Sequence, residues 1–208
     1  LDTVDFPVAF LGALYAGIVP VPVNTLLTAS DYAFMLAHSR ARAVIVSEAL
    51  LPVLQRALAT GPHEVDTIWV SAPTTRLPAG TLDFTPCTAH APLPEPADTG
   101  ADEMAFWLYS SGSTGRPKGT VHTHANLFWT AELYGQPVLG VREDDVVFSA
   151  AKLFFAYGLG NALTFPLSVG ATIVLMSERP TPAAVCRRLR EQRPTIFCGV
   201  PTLFASML

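Results

Sequence analysis

The stretch Met104-Ala-Phe-Trp-Leu-Tyr-Ser-Ser-Gly-Ser-Thr-Gly-Arg-Pro-Lys-Gly119 decides how this chain is read. Met104–Tyr109 is a short apolar run, the pattern of a strand buried on both faces. The ten residues after it, 110–119, hold three glycines, four hydroxyl side chains and two cations. Glycines let a backbone bend so that successive N–H groups point into one concavity, and Ser and Thr hydroxyls add donors. Arg116 and Lys118 can balance phosphate charge, one with a planar fork and the other as a point charge. Lys118 and Lys152 are the only lysines, so a cation in this loop is not the by-product of a lysine-rich surface. The loop is not a Walker A sequence. That pattern needs Gly-Lys after four intervening residues, and counting from Gly112 or Gly115 meets Pro117 or Thr120 instead. Gly112 and Gly115 are also spaced wrongly for a dinucleotide fingerprint.

Working outward, helix and strand patterns alternate on both sides. Upstream, 6–17 reads as an apolar helix and 19–23 as a proline-bearing edge strand. Thr28 and Asp31 are spaced as a capping box before a helix. Residues 43–47 and 67–70 read as strands flanking a helix over 50–59. Residues 71–101 carry Pro73, Pro78, Pro86, Pro92, Pro94 and Pro96, the mark of an irregular connection, with one short strand near 82–84. Downstream, strands are expected at 120–123, 145–149, 171–176 and 195–199. Helices are expected at 126–135 and 159–169, after Thr181-Pro182, and from Pro201. Helices between short apolar runs imply an α/β fold, with crossover helices on mainly parallel sheets. The organisation read from this is a first α/β subdomain at 1–70, a connection at 71–101 and a second α/β subdomain at 102–208.

Composition narrows the function. Of 208 residues, half are apolar and 14% charged, which is enough apolar material for a core. The formal charge of −4 argues against a nucleic-acid partner. The uncharged runs 6–23 and 153–176 are broken by proline and glycine, so membrane insertion is not expected. Cys87, Cys186 and Cys198 lack metal spacing and suit reduced thiols in a cytoplasmic protein. His122 and His124 would share one face of a strand, but no acid or thiol nearby in sequence completes a metal site.

The loop Ser110–Gly119 resembles the signature loop of the adenylate-forming superfamily, the acyl- and aryl-CoA synthetases and their relatives. Thr123-His-Ala-Asn-Leu127 is similar to the stretch that follows it there. Lys152-Leu-Phe-Phe-Ala-Tyr-Gly-Leu-Gly-Asn161 looks like the acyl-pocket motif of the benzoate-CoA ligase branch. The resemblance implies part of a large N-terminal domain and a two-step reaction. A carboxylate attacks the α-phosphorus of ATP, then CoA displaces AMP to form a thioester. It implies ATP, Mg²⁺ and CoA, and an aryl carboxylate such as benzoate as the small-molecule partner. It also places Ser110, Ser111, Gly112, Ser113, Thr114, Gly115 and Lys118 on the nucleotide phosphates, with Lys118 positioning phosphate rather than acting as a base.

From composition alone, Phe154–Gly158 reads equally as a flat slot for a ring or as a core cluster. The resemblance points to the slot, with Phe155 as an aromatic gate and Ala156, Tyr157 and Gly158 lining it. Other residues have plainer readings. His124 starts a helix, Trp129 and Tyr134 pack on that helix's buried face, Asp144 and Asp145 form a solvated turn, and Lys152 is a surface lysine. Gly199-Val-Pro201, at a strand end, is a second pocket candidate. The family's glutamate for Mg²⁺, its ribose aspartate and its C-terminal domain with the adenylation lysine are not in this sequence. The chain is therefore expected to be an internal piece that does not turn over alone. The alternatives are a ligase for another carboxylate, such as an aminobenzoate or a medium-chain acid, and a non-catalytic nucleotide- or acyl-adenylate-binding module.

Overall fold

A computed structural model describes residues 1–110 and 116–208, without the Thr88 side chain. The fold is α/β, and every strand pair whose register is resolved is parallel. By internal contacts the chain forms two units that are not contiguous in sequence. One comprises Leu1, 24–95 and 110–118; the other comprises 2–23, 96–109 and 119–208.

In the first unit, β1 (Ala43–Ser47), β2 (Thr67–Ser71) and β3 (Leu82–Asp83) form a sheet in the order β1-β2-β3. Helix α2 (Ala29–Ser39) begins at the expected capping box. The Thr28 hydroxyl accepts from the Asp31 amide at 3.3 Å, and the Asp31 carboxylate accepts from the Thr28 amide at 3.0 Å. Helix α3 (Leu51–Thr60) buries Leu51, Leu54 and Ala57, one stripe at helical spacing. Leu51 and Leu54 pack with Val70 of β2, and Leu36, Val46 and Ile68 close around them. Each such side chain fully buried contributes about 1.5–3 kcal/mol.

The start of the proline-rich connection is tied down by Glu48. Its carboxylate accepts from the Thr74 amide at 2.7 Å, the Thr74 hydroxyl at 2.6 Å and the Thr75 amide at 3.0 Å, and also from the Thr75 hydroxyl. These donors, the two hydroxyls foremost, hold its pKa at about 2 against an ordinary 4.5. A depressed carboxylate pKa stabilises the fold above its unfolded value and loses that contribution as pH falls through the folded one. The Glu48 contribution is thus complete above pH 4.5 and disappears toward pH 2. Glu48→Gln is expected to flatten the acid limb of the unit's stability between those limits, as read by denaturant titrations at a series of pH values. An unchanged acid limb would remove Glu48 as its source.

In the second unit, β6 (Val146–Ser149) lies between β7 (Thr172–Val174) and β8 (Ile196–Cys198), in the order β7-β6-β8. Strands β4 (Met104–Ser110) and β5 (Lys118–Thr123) pair in a sheet of their own. Helix α1 (Asp5–Tyr15) packs Phe10 edge-on against Phe106 of β4, at 5.4 Å between centroids. Helix α7 (Pro182–Gln192) starts at Thr181, whose hydroxyl accepts from the Ala184 amide, and it buries Val185 beside Phe148. Helix α8 (Pro201–Met207) opens at proline, as expected.

Several expectations are corrected. Residues 19–23 form no strand: Pro20 and Pro22 lack ladder donors, and the segment is coil with the Pro20 carbonyl accepting from the Trp107 amide. The helix expected at 126–135 is α4 (His124–Thr130), continued by a π-helical turn over Ala131–Gly135. Trp129 and Tyr134 are exposed, not packed inside. The buried Ala131 and Gly135 are four apart, and Trp129 lies two residues from Ala131, well round the helix from it. Asp145 is buried, not a solvated turn residue. It accepts from the Thr195 hydroxyl at 2.6 Å and the Arg142 amide at 2.8 Å, and the hydroxyl foremost holds its pKa low.

Candidate active site

The two ends of the signature loop fall on strand ends: Ser110 closes β4 and Lys118 opens β5. Both side chains are exposed. Arg116 lies with its guanidinium carbon 5.7 Å from the centroid of the Phe34 ring of α2, within the same unit, so one face of that cation is already engaged. Ser111, Gly112, Ser113, Thr114 and Gly115 lie outside the described residues.

The aromatic motif lies at the carboxyl edge of a parallel sheet, where α/β folds present ligands. Strands β6 and β8 run in parallel register, with Ser149 opposite Cys198. The chain leaves β6 through 150–155 and enters α5 (Ala156–Leu159), with Phe155 at its N-cap in an extended conformation. Phe154 is buried, whereas Phe155 and Tyr157 are about half exposed, at 49% and 46%. The two phenylalanine rings meet at 4.5 Å between centroids. The Tyr157 hydroxyl donates to the Gly199 carbonyl at 3.3 Å, so the Gly199 candidate and the aromatic motif are brought together. Buried Asn161 supports this junction: its amide nitrogen donates to the Tyr157 carbonyl at 2.9 Å, and its oxygen accepts from the Cys198 thiol at 3.6 Å. Burial pushes the Cys198 thiol and the Tyr157 phenol up, so both stay neutral donors at neutral pH.

Ala156 lines a cleft of about 100 Å³ whose other walls include Phe106, His122, Leu159 and Phe165. His122 lies flat on Phe106, with centroids 4.6 Å apart and planes 5° apart. Burial lowers its pKa, partly offset by its hydrogen bond with Asn126, so it is a neutral imidazole at pH 7. His124 lies elsewhere, in the first turn of α4, so the two histidines do not share a strand face. Among the described residues, no three His, Cys, Asp or Glu side chains gather as a metal site.

Two glycines of this segment are fixed by close approach. A Cβ on Gly158 would overlap the Lys152 carbonyl oxygen and stand 2.6 Å from its carbon. A Cβ on Gly160, where a π-helical turn over Gly160–Thr164 begins, would stand 2.7 Å from the Phe165 ring. Lys152 is not a surface lysine. Its side chain is 17% exposed, its ammonium donates to the carbonyls of Met176 and Glu178, and the Asp2 carboxylate lies at 3.8 Å. Sequence reasoning missed Asn161, Asp2 and the inward turn of Lys152. A lysine inside an otherwise uncharged apolar stretch, 146–177, was the available signal for the last of these.

Comparison with known proteins agrees with the motif reading. The family model of the AMP-binding enzymes matches residues 2–208. The benzoate–CoA ligase of Thauera aromatica is 57% identical over an alignment covering all of this chain and 38% of that protein. A 4-hydroxybenzoate–CoA/benzoate–CoA ligase of Rhodopseudomonas palustris is 51% identical, again over the whole chain and 38% of that protein. Among solved structures, a benzoate CoA ligase from Burkholderia xenovorans LB400 superposes with a TM-score of 0.89 at 60% identity, covering all of this chain and 40% of that one. An anthranilate CoA ligase in complex with anthranoyl-AMP superposes with a TM-score of 0.93 at 35% identity, over 99% of this chain and 40% of that one. The chain thus spans about two fifths of the length of these relatives. With all but its first residue matched by one family model, and with that family's loop on the ends of β4 and β5, this chain belongs to the AMP-binding enzymes.

Proposed function

We propose that the protein containing this chain is an AMP-forming acid–thiol ligase acting on benzoate or a small ring-substituted benzoate. The observation that carries the substrate is Ala156: a small residue, flanked in sequence by two half-exposed aromatics, that lines a cleft with Phe106 and Phe165 past the carboxyl edge of β6 and β8. A flat ring fits beside such a residue and buries its faces on aromatic neighbours. The 57% identity to a benzoate–CoA ligase supports the same reading.

In this reading the carboxylate oxygen attacks the α-phosphorus of ATP and pyrophosphate leaves. The CoA sulfur then attacks the acyl carbon and AMP leaves. The nucleophile and the triphosphate are both anions, so the loop's task is electrostatic and positional. Ser110, Ser111, Gly112, Ser113, Thr114, Gly115 and Lys118 hold the phosphates, with Lys118 as the point charge. Phe155, Ala156, Tyr157 and Gly158 form the acid's wall. Mg²⁺ would accompany the nucleotide and offset phosphate charge; the described residues gather no ligand set for it. Three free thiols suit a cytoplasmic setting, and a role in the breakdown of aromatic acids follows from the substrate. No helix among the described residues is long and apolar enough to cross a membrane.

The test is benzoyl-CoA formation by the protein that contains this chain, with Ala156→Leu alongside. The added side chain is expected to raise the KM for benzoate roughly 10- to 100-fold while the KM for ATP stays within about twofold. An unchanged benzoate KM would take Ala156 out of the pocket. Thioester formation with an aminobenzoate or octanoate but not benzoate would keep the reaction and replace the substrate.

A further inference from the structure

Lys152 is a largely buried cation of the second unit, and two carbonyls and one carboxylate surround its ammonium. Its ammonium reaches the carbonyls of Met176 and Glu178, just past the end of β7, the latter at 2.8 Å. Asp2 lies at 3.8 Å and is itself 8% exposed in its side chain. The same Asp2 oxygen accepts from the amide of Leu153, a residue with no exposed surface, at 3.3 Å. Burial weakens the charged form of both groups, and each offsets that cost for the other.

The main chain of Lys152 is equally committed. Its carbonyl accepts from the Phe155 amide at 3.1 Å, which turns the chain into α5. That same carbonyl is the surface on which Gly158 lies, so closely that no side chain fits there. The path is continuous: Asp2 and the end of β7 hold Lys152, and Lys152 is the seat of the helix that carries Ala156 and Tyr157. Two of the three ammonium donors are taken by carbonyls and its charge faces the Asp2 carboxylate at 3.8 Å, so the group is already committed within this cluster.

We propose that Lys152 and Asp2 form a buried strut that sets the position of the wall formed by Phe155, Ala156, Tyr157 and Gly158, which makes Lys152 a positioning residue for the acid rather than a contact to it. The role in acid binding rests on the ligase reading above; the mechanical role does not.

The test has two arms, both in the protein that contains this chain. In the first, hydrogen exchange is followed in Lys152→Met and in the double variant Asp2→Asn/Lys152→Met, which leaves neither charge buried alone. Amides of 153–159 are expected to lose at least tenfold in protection while Val147 and Phe148 of β6 keep theirs. In the second arm, the KM for the acid is expected to rise at least tenfold with the KM for ATP within twofold. Unchanged protection over 153–159 overturns the strut. So does loss of protection in β6 in the double variant, which would make the pair a general stability element. A parallel rise of both KM values overturns the positioning role. If the unsubstituted protein forms no adenylate from any acid, the ligase reading fails, and the exchange arm still decides the strut.

Discussion

Replacing Lys118 by alanine is expected to slow formation of the acyl-adenylate by roughly 10²-fold, the scale lost when one preorganised charge leaves a transition state. The second half-reaction, from preformed benzoyl-adenylate and CoA, should change by less than about threefold, because no triphosphate is then present to be positioned. The prediction follows from placement and chemistry together. Lys118 is the first residue of β5, so its backbone is held by a strand while its side chain is exposed. It is one of only two lysines, and the ammonium of the other is taken up by the Met176 and Glu178 carbonyls and by Asp2. Arg116 does not substitute for it, because its guanidinium lies over Phe34. Lys118→Arg should restore part of the rate, since the charge returns with a different shape. Single-turnover measurement of benzoyl-AMP checks this; a wild-type rate in Lys118→Ala would remove the residue from the mechanism.

Gly158→Ala is expected to be the most damaging single methyl in the second unit. The added carbon would sit on the Lys152 carbonyl, with the Ala151 carbonyl oxygen at 2.8 Å. Neither atom is the free end of a side chain, and the ammonium beyond Lys152 is tied to Met176 and Glu178. Relief therefore requires moving α5 off its seat, at a cost of about 3 kcal/mol, near the upper end for overpacking. Gly140→Ala is the control. Its φ is +73° but nothing stands within 4 Å of the added carbon, so only backbone strain of about 1 kcal/mol is expected. Denaturant titration of the two variants reads both as changes in unfolding free energy. Equal costs at the two positions would mean the contact at Gly158 yields easily.

Much of the fold was legible because its signals are local. The capping box at Thr28 and Asp31, the proline at the start of α7 and the β-branched run of β1 each depend on residues a few positions apart. The carboxyl-edge placement of Phe155–Gly158 follows from the motif coming just after β6. What stayed hidden depends on distance along the chain. Asp145 reads as half of an acidic turn until Thr195, fifty positions on, is seen to donate to it. Lys152 reads as a surface lysine because Asp2 is 150 residues away in sequence and the carbonyls beyond β7 are more than twenty. The two π-helical turns add a residue each to a 3.6-residue period, so a face projected from regular spacing drifts across them. Tyr134 shows this: it packs on Phe165 at 5.7 Å and still keeps 45% of its surface exposed.

The most direct test of the central claim is pyrophosphate–ATP exchange by the protein that contains this chain, with Mg²⁺ and, in turn, benzoate, aminobenzoates, octanoate and acetate. Reversible adenylation is the only step this assay requires, so CoA binding and product release do not enter. Exchange that depends on benzoate, with octanoate and acetate near background, is the predicted result. Folded protein that binds ATP and supports no exchange with any of these acids would contradict the account and leave a nucleotide-binding module in place of a ligase.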